Sequence, residues 1–199
     1  MKKLFLSLGV LLLALIAILL INTLRLTSKQ VPAEPVEKMA VSDQVFQNLS
    51  KAIQFKTISF NEEAVPDSAE FLGFHRFLEA TFPLVHSQLT LEKINTYSLL
   101  YKWQGSDPSL KPIILMSHQD VVPVDEPTLQ QWEAGPFEGK ITDTHIIGRG
   151  TLDDKGTLMG VLESVEKLLS ENYVPARTIY IASGHDEEVG GPKGAGLIA

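Results

Sequence analysis

Two apolar runs of strand-forming residues, 112–117 (PIILMS) and 178–183 (TIYIAS), bracket a stretch in which Leu158, Leu162, Val165 and Leu169 recur at spacings of four, three and four. The outer runs suit buried strands and the inner pattern suits an amphipathic helix, because apolar side chains return to one helical face about every 3.6 residues. Strand, helix and strand in that order constrain the chain to an α/β architecture, with 112–117 expected as a buried central strand. Further strands are expected over 88–94, over 97–103 and around Ile146 and Ile147, and a turn is expected at 105–108. Upstream, Phe46, Leu49 and Ile53 share a helical face behind Ser42 as N-cap. Phe71, Phe74 and Leu78 do the same behind Asp67, with Glu70 three residues on. Residues 191–199 read as the start of another helix.

Residues 4–21 are uncharged and almost wholly apolar, preceded by Lys2 and Lys3 and followed by Arg25. Such a run directs a chain to a membrane. It is longer than the apolar core of a cleaved signal peptide and ends without an Ala-x-Ala-like site, so an uncleaved anchor is favoured over a signal segment. The weak excess of positive charge before the run favours a cytoplasmic N-terminus, with the bulk of the chain extracytoplasmic, or secreted if the leader is cleaved. The expected organisation is a membrane anchor or signal segment over 1–26, a linker over 27–41 with two prolines and alternating charges, and a folded domain over 42–199.

The formal charge is −7 and the lysines and arginines are scattered, which argues against nucleic acid as a partner. There is no cysteine, so any metal must be held by nitrogen and oxygen.

Three short segments carry polar chemistry: 117–120 (SHQD), 151–156 (TLDDKG) and 184–188 (GHDEE). Each lies at the end of an expected strand or in a loop entering a helix, the edge of an α/β sheet at which ligands bind. His118 and Asp120 are two apart, which on an extended backbone puts both side chains on one face, so the carboxylate can orient a metal-bound imidazole. Asp153 and Asp154 beside Gly156, taken alone, best suit a helix N-terminus whose carboxylates take up free N–H groups, although carboxylates there could also face a metal. Glu187 and Glu188 repel one another unless a cation or proton lies between them, although a solvated acidic loop also accommodates such a pair. Together the clusters hold a histidine, a carboxylate able to bridge, a further carboxylate ligand and a spare carboxylate as base. That is the set needed by two divalent cations about 3.5–4 Å apart. Zinc leads by ligand type, with cobalt or manganese able to substitute.

The segments MSHQDVVPV, GRGTLDDKG and GHDEEVGG, in this order, resemble the successive signatures of the M20 metallopeptidases. The likeness is strongest to the branch that contains carboxypeptidase S and the N-fatty-acyl-amino-acid hydrolase/synthase, and extends from about Ser42 to the end. QGSDPSL, Trp132, Pro136 and Phe137 add to it. The resemblance implies a zinc-peptidase-type catalytic domain with a mixed central sheet flanked by helices, and a site for two zinc ions. His118 would bind one ion, Asp153 would bridge both and Glu188 would bind the other, while Asp120 orients His118. Glu187 would serve first as base toward water and then as acid toward the leaving amine. Asp154 and Lys155 would shape the turn, and Arg149 would pair structurally. His75, His86, His145 and His185 receive no ligand role. Short peptides with a free C-terminus or N-acyl amino acids are the implied substrates.

Members of this family run well beyond this length, through a second acidic ligand, a lid or dimerisation domain and a late histidine ligand. The resemblance therefore implies that these 199 residues are the front part of the catalytic domain and have little activity alone. A membrane-tethered binding or assembly domain that keeps the fold without catalysis is the competing expectation. The tripeptide Asn48, Leu49, Ser50 also matches a glycosylation acceptor, although it falls within an expected helix.

Overall fold

The computed structural model describes residues 2–30, 34 and 40–199; much of the expected linker at 27–41 lies outside the described residues. The described chain divides into two compact units, residues 1–40 and 41–199. The first holds a single helix, α1 (Lys2–Leu24), with a mean hydropathy of 3.2 over its most apolar 18 residues. At about 1.5 Å rise per residue its length exceeds the roughly 30 Å of a bilayer core. By length and composition it can cross a membrane, and a signal sequence meets the same description.

The second unit opens with two helices whose N-caps follow the sequence pattern. Ser42 Oγ accepts from the Gln44 N–H at the start of α2 (Asp43–Ile53), and Asp67 accepts from Ala69 and Glu70 at the start of α3 (Ser68–Thr81). Glu70 does not close a capping box; its carboxylate instead accepts from the Lys56 N–H at 2.7 Å. Helix α4 (Pro83–Gln88) has no cap of its own. Glu166, far along the chain, accepts from its Leu84 and Val85 N–H groups. Strands β1 (Thr90–Ile94), β2 (Ser98–Trp103) and β3 (Ile113–His118) follow. A small antiparallel pair, β4 (Lys140–Ile141) and β5 (Ile146–Ile147), precedes α5 (Lys155–Ser170), β6 (Ile179–Gly184) and the short α6 (Ala195–Ile198).

The main sheet is mixed, in the order β1-β2-β6-β3, with β1 and β2 antiparallel to their neighbours and β3 parallel to β6. Helix α5 supplies the crossover that a parallel pair requires. The centre of the core joins Phe74, Leu78 and Phe82 to Leu99 and Tyr101 of β2 and to Leu158, Leu162 and Leu169 of α5. Burying each such apolar side chain stabilises the fold by about 1.5–3 kcal/mol.

One expectation is corrected. The run at 112–117 is not a buried central strand among the described residues, because β3 pairs on one side only and residues 113–116 are between 36 and 64% exposed. The central position belongs to β6, whose residues 181–184 are buried. Both runs are apolar, and which one gains a second neighbour depends on pairing with β2, more than 70 residues away from β6 in sequence.

Candidate metal centre

The parallel register sets Ser117 beside Ser183 and His118 beside Gly184, so β3 and β6 end at the same edge of the sheet. His118 and the 185–188 loop consequently emerge side by side. Asp153 arrives differently, from the loop between β5 and α5, outside the main sheet. That loop is drawn tight by two glycines. Gly150 has φ +85°, and a Cβ on Gly156 would lie 2.1 Å from the Thr151 carbonyl oxygen, so only glycine lets the chain close on itself there. The Asp153–Asp154 peptide bond is cis.

Lys155 anchors the same loop from within. Its side chain is fully buried, with Nζ donating to the Ala52 and Phe55 carbonyls at 3.2 and 2.5 Å and lying 5.1 Å from the centre of the Phe74 ring. Burial pushes the ammonium down to about 7, against the opposing pull of Glu70 and Asp120. The lysine thus ties the start of α5 to the end of α2, a larger part than shaping its own turn.

Potential ligand atoms of His118, Asp153 and Glu188 all lie within 4.8 Å of one another. His118 Nε2 is 2.9 Å from Asp153 Oδ1 and 3.6 Å from Glu187 Oε2. Its Nδ1 faces the Asp120 backbone carbonyl at 3.0 Å and the Asp120 carboxylate at 3.3 Å. Asp120 is fully buried and does more than meet the imidazole: its two oxygens accept from the Glu187 and Glu188 N–H groups, each at 3.1 Å. One carboxylate therefore fixes both His118 and the backbone that carries the two glutamates.

The electrostatics suit a cation. Burial pushes the His118 imidazolium down, but hydrogen bonds to Asp120 and Asp153 more than reverse this and hold it up to about 9. Burial pushes the Asp120 carboxyl up, yet His118, Ser59 and the Glu188 N–H outweigh it and keep the group below the usual carboxylate range. Glu188 is pushed up by burial, with Asp153, Asp120 and Glu187 adding to the rise against the pull of His118. Four carboxylates thus surround one imidazole, more negative charge than its single proton neutralises. An oxygen and nitrogen donor set with surplus negative charge fits a divalent metal ion.

The other histidines have partners of their own. His185 Nδ1 meets Ser98 Oγ at 2.6 Å, His86 bridges the Phe82 carbonyl and the Tyr101 hydroxyl, and His145 contacts Thr144 on the exposed hairpin. His75 Nε2 donates to Gln119 Oε1 at 2.8 Å, on the residue between His118 and Asp120. Arg149 makes no ion pair among the described residues and lies over the Trp132 ring, 5.5 Å from its centre. Asn48 is buried, donating to Glu163 at 2.7 Å and accepting from Gln44, which withdraws its amide from glycosylation in the folded chain. Segment 57–59 escaped the sequence pattern. Thr57 donates to the Gln119 carbonyl at 2.6 Å and Ser59 N to the Val121 carbonyl at 3.1 Å, pairings that join residues about 62 apart and leave no local periodicity to find.

Residues 114–199 match the family model described as peptidase family M20/M25/M40. A carboxypeptidase S-like protein of Dictyostelium discoideum is 50% identical over 194 residues, covering 93% of this chain and 37% of that protein. Carboxypeptidase S of Saccharomyces cerevisiae is 40% identical over 84% of this chain and 32% of its own length. The N-fatty-acyl-amino acid synthase/hydrolase of Mus musculus is 42% identical over 86% of this chain and 33% of its own. Among solved structures, human carnosine dipeptidase 1 superposes with a TM-score of 0.60 at 19% identity, over 76% of this chain and 33% of that one, a likeness of fold. The chain belongs to the M20 metallopeptidases, enzymes that depend on metal. Within that family it is similar to the carboxypeptidase S-like proteins and the N-fatty-acyl-amino acid synthase/hydrolases, and it spans about a third of their length.

Proposed function

We propose that this chain carries the front of a site for two zinc ions that hydrolyses amide bonds, in short peptides with a free C-terminus or in N-acyl amino acids. The convergence of His118, Asp153 and Glu188 within 4.8 Å, with Glu187 alongside, is the observation that carries this reading. His118 would hold one ion, Asp153 would bridge the pair and Glu188 would hold the other; cobalt or manganese suits the same donors. When bound, such ions polarise a carbonyl and acidify water.

The residues divide the remaining work. Asp120 holds His118 Nδ1, so that Nε2 faces Asp153 and Glu187. Its grip on the Glu187 and Glu188 N–H groups sets the two glutamates at a fixed distance from the imidazole. Glu187 is left with its side chain 59% exposed, reachable by water and substrate. It would take a proton from the attacking water and return it to the leaving amine, a role that needs a carboxylate within reach of both. The substrate class rests on the names of the relatives.

We further propose that 1–26 anchors the protein, or is its signal segment, that 27–41 is a linker, and that 42–199 lies outside the cytoplasm. Sequencing the mature N-terminus tests the anchor, since a chain beginning near Ser28 would show cleavage.

Glu187→Gln in the full-length protein tests the mechanism. It keeps the size of the side chain and removes its basicity, so zinc content should stay near that of the wild type while hydrolysis of a panel of N-acyl amino acids and dipeptides is abolished. Turnover at the wild-type rate in that variant would remove Glu187 from the reaction.

A further inference from the structure

Away from the metal-ligating cluster, one small open cleft carries unpaired charges of opposite sign at its rim. It lies among α3, α4, β1 and β2 and holds about 180 Å³. Glu79 of α3 and Lys93 of β1 stand at its exposed rim, and neither forms an ion pair among the described residues. Its floor is Tyr101, fully buried, beside Leu99.

The hydrogen bonds of the floor fix which atoms remain available. His86 Nδ1 donates to the Phe82 carbonyl at 2.9 Å, which leaves Nε2 as an acceptor. The Tyr101 hydroxyl therefore donates to His86 Nε2 at 3.1 Å, which closes the floor. Burial, then the charge of Glu79, push the phenol well up, so it stays protonated. The cleft thus offers an anionic acceptor at Glu79 and a cationic donor at Lys93. An ammonium group pairs with the first and a carboxylate with the second.

Size narrows the ligand further. A cavity of about 150 Å³ takes up benzene, so this cleft suits roughly six to nine heavy atoms. That is the size of a free amino acid. We propose that the cleft is a second small-molecule site, separate from the metal centre, that binds a free α-amino acid as its zwitterion. This assignment does not rest on the hydrolase reading. The floor also touches the metal strand from behind, because His75, which lines the cleft, holds Gln119 between His118 and Asp120.

The test is calorimetric titration of L-alanine, L-serine and L-leucine into the intact protein stripped of metal. N-acetyl-L-alanine, which lacks the ammonium, and L-alaninamide, which lacks the carboxylate, serve as controls. Free amino acids should bind, and each control should bind at least about tenfold more weakly. Glu79→Gln and Lys93→Gln should cause losses of the same order, and both positions are exposed, so the fold is not at stake. No heat of binding up to about 10 mM ligand would overturn the assignment. So would equal binding of the controls, or binding that survives both rim variants. Binding lost in His118→Ala but kept in Glu79→Gln would place the amino acid at the metal centre and overturn it as well.

Discussion

Replacing Asp120 by Asn tests whether one buried carboxylate holds the site together. The wild-type group accepts two backbone N–H groups at 3.1 Å and faces His118 Nδ1 at 3.3 Å while fully buried. Asparagine keeps one oxygen and puts an amide NH2 where the other was, so one of the two N–H donors must face another donor. A hydrogen bond to a charged group contributes about 1.5–3 kcal/mol, and the bond that survives falls to the neutral range near 1 kcal/mol. The expected loss is on the order of 2–4 kcal/mol, which lowers the melting temperature of a chain of this size by roughly 5–15 °C. Circular dichroism on the metal-free intact protein at pH 7 reads that change.

The same substitution has a signature in pH. The folded Asp120 carboxyl sits below its ordinary value, so its contribution is present above the unfolded value of about 3.9 and is lost as pH falls through the lower folded one. Wild-type and variant melting temperatures should therefore converge on acidification. A drop of less than about 2 °C at pH 7, or a gap undiminished at low pH, would refute the assignment of Asp120 as the common tie.

Other perturbations have equally definite outcomes. In the metal-free protein His118 is raised from 6.5 to about 9, so its contribution to stability is complete below 6.5 and disappears as pH rises through 9. Zinc must displace that proton, so zinc affinity measured by competition with a chelator should climb from pH 6.5 to 9 and then level off. Gly156→Ala forces a methyl group against the Thr151 carbonyl and should cost zinc affinity more than it costs helix content, read by metal titration and circular dichroism. Asn48→Ala leaves the Glu163 carboxylate without its 2.7 Å donor and should lower stability by about 1–3 kcal/mol in denaturant unfolding, and mass spectrometry of the wild type expressed in a glycosylating host should show Asn48 unmodified.

Local signals gave the elements and long-range ones did not. Ser42 and Asp67 cap the helices their side chains suit, and the four-three-four spacing of Leu158, Leu162, Val165 and Leu169 places α5 on its core. Those signals live within a turn or two of chain. The rank of β3 and β6 in the sheet depends on which strand β2 chooses, and the apolar content of 113–116 is silent on that. In the candidate site, the order of the His, Asp and Glu segments pointed to the residues that the fold brings together. The second use of Asp120, the carbonyl partners of Lys155 and the pairing of 57–59 with 119–121 were illegible, because each is a contact with a backbone atom distant in sequence. Backbone atoms are the same at every residue and leave no mark in a pattern of side chains.

Gln119 gives the strand end a back lock. Between His118 and Asp120 it turns away from them: its Oε1 accepts from His75 Nε2, its amide nitrogen donates to the Tyr97 and Ser183 carbonyls, and its own carbonyl accepts from the Thr57 hydroxyl. Sliding β3 by one residue would exchange the two faces, setting an imidazole or a carboxylate among groups spaced for an amide. The end of the strand is in this sense keyed, like a shaft in its hub. A change of charge in front, whether a proton leaves or a metal ion arrives, falls on a segment already prevented from creeping along its neighbour.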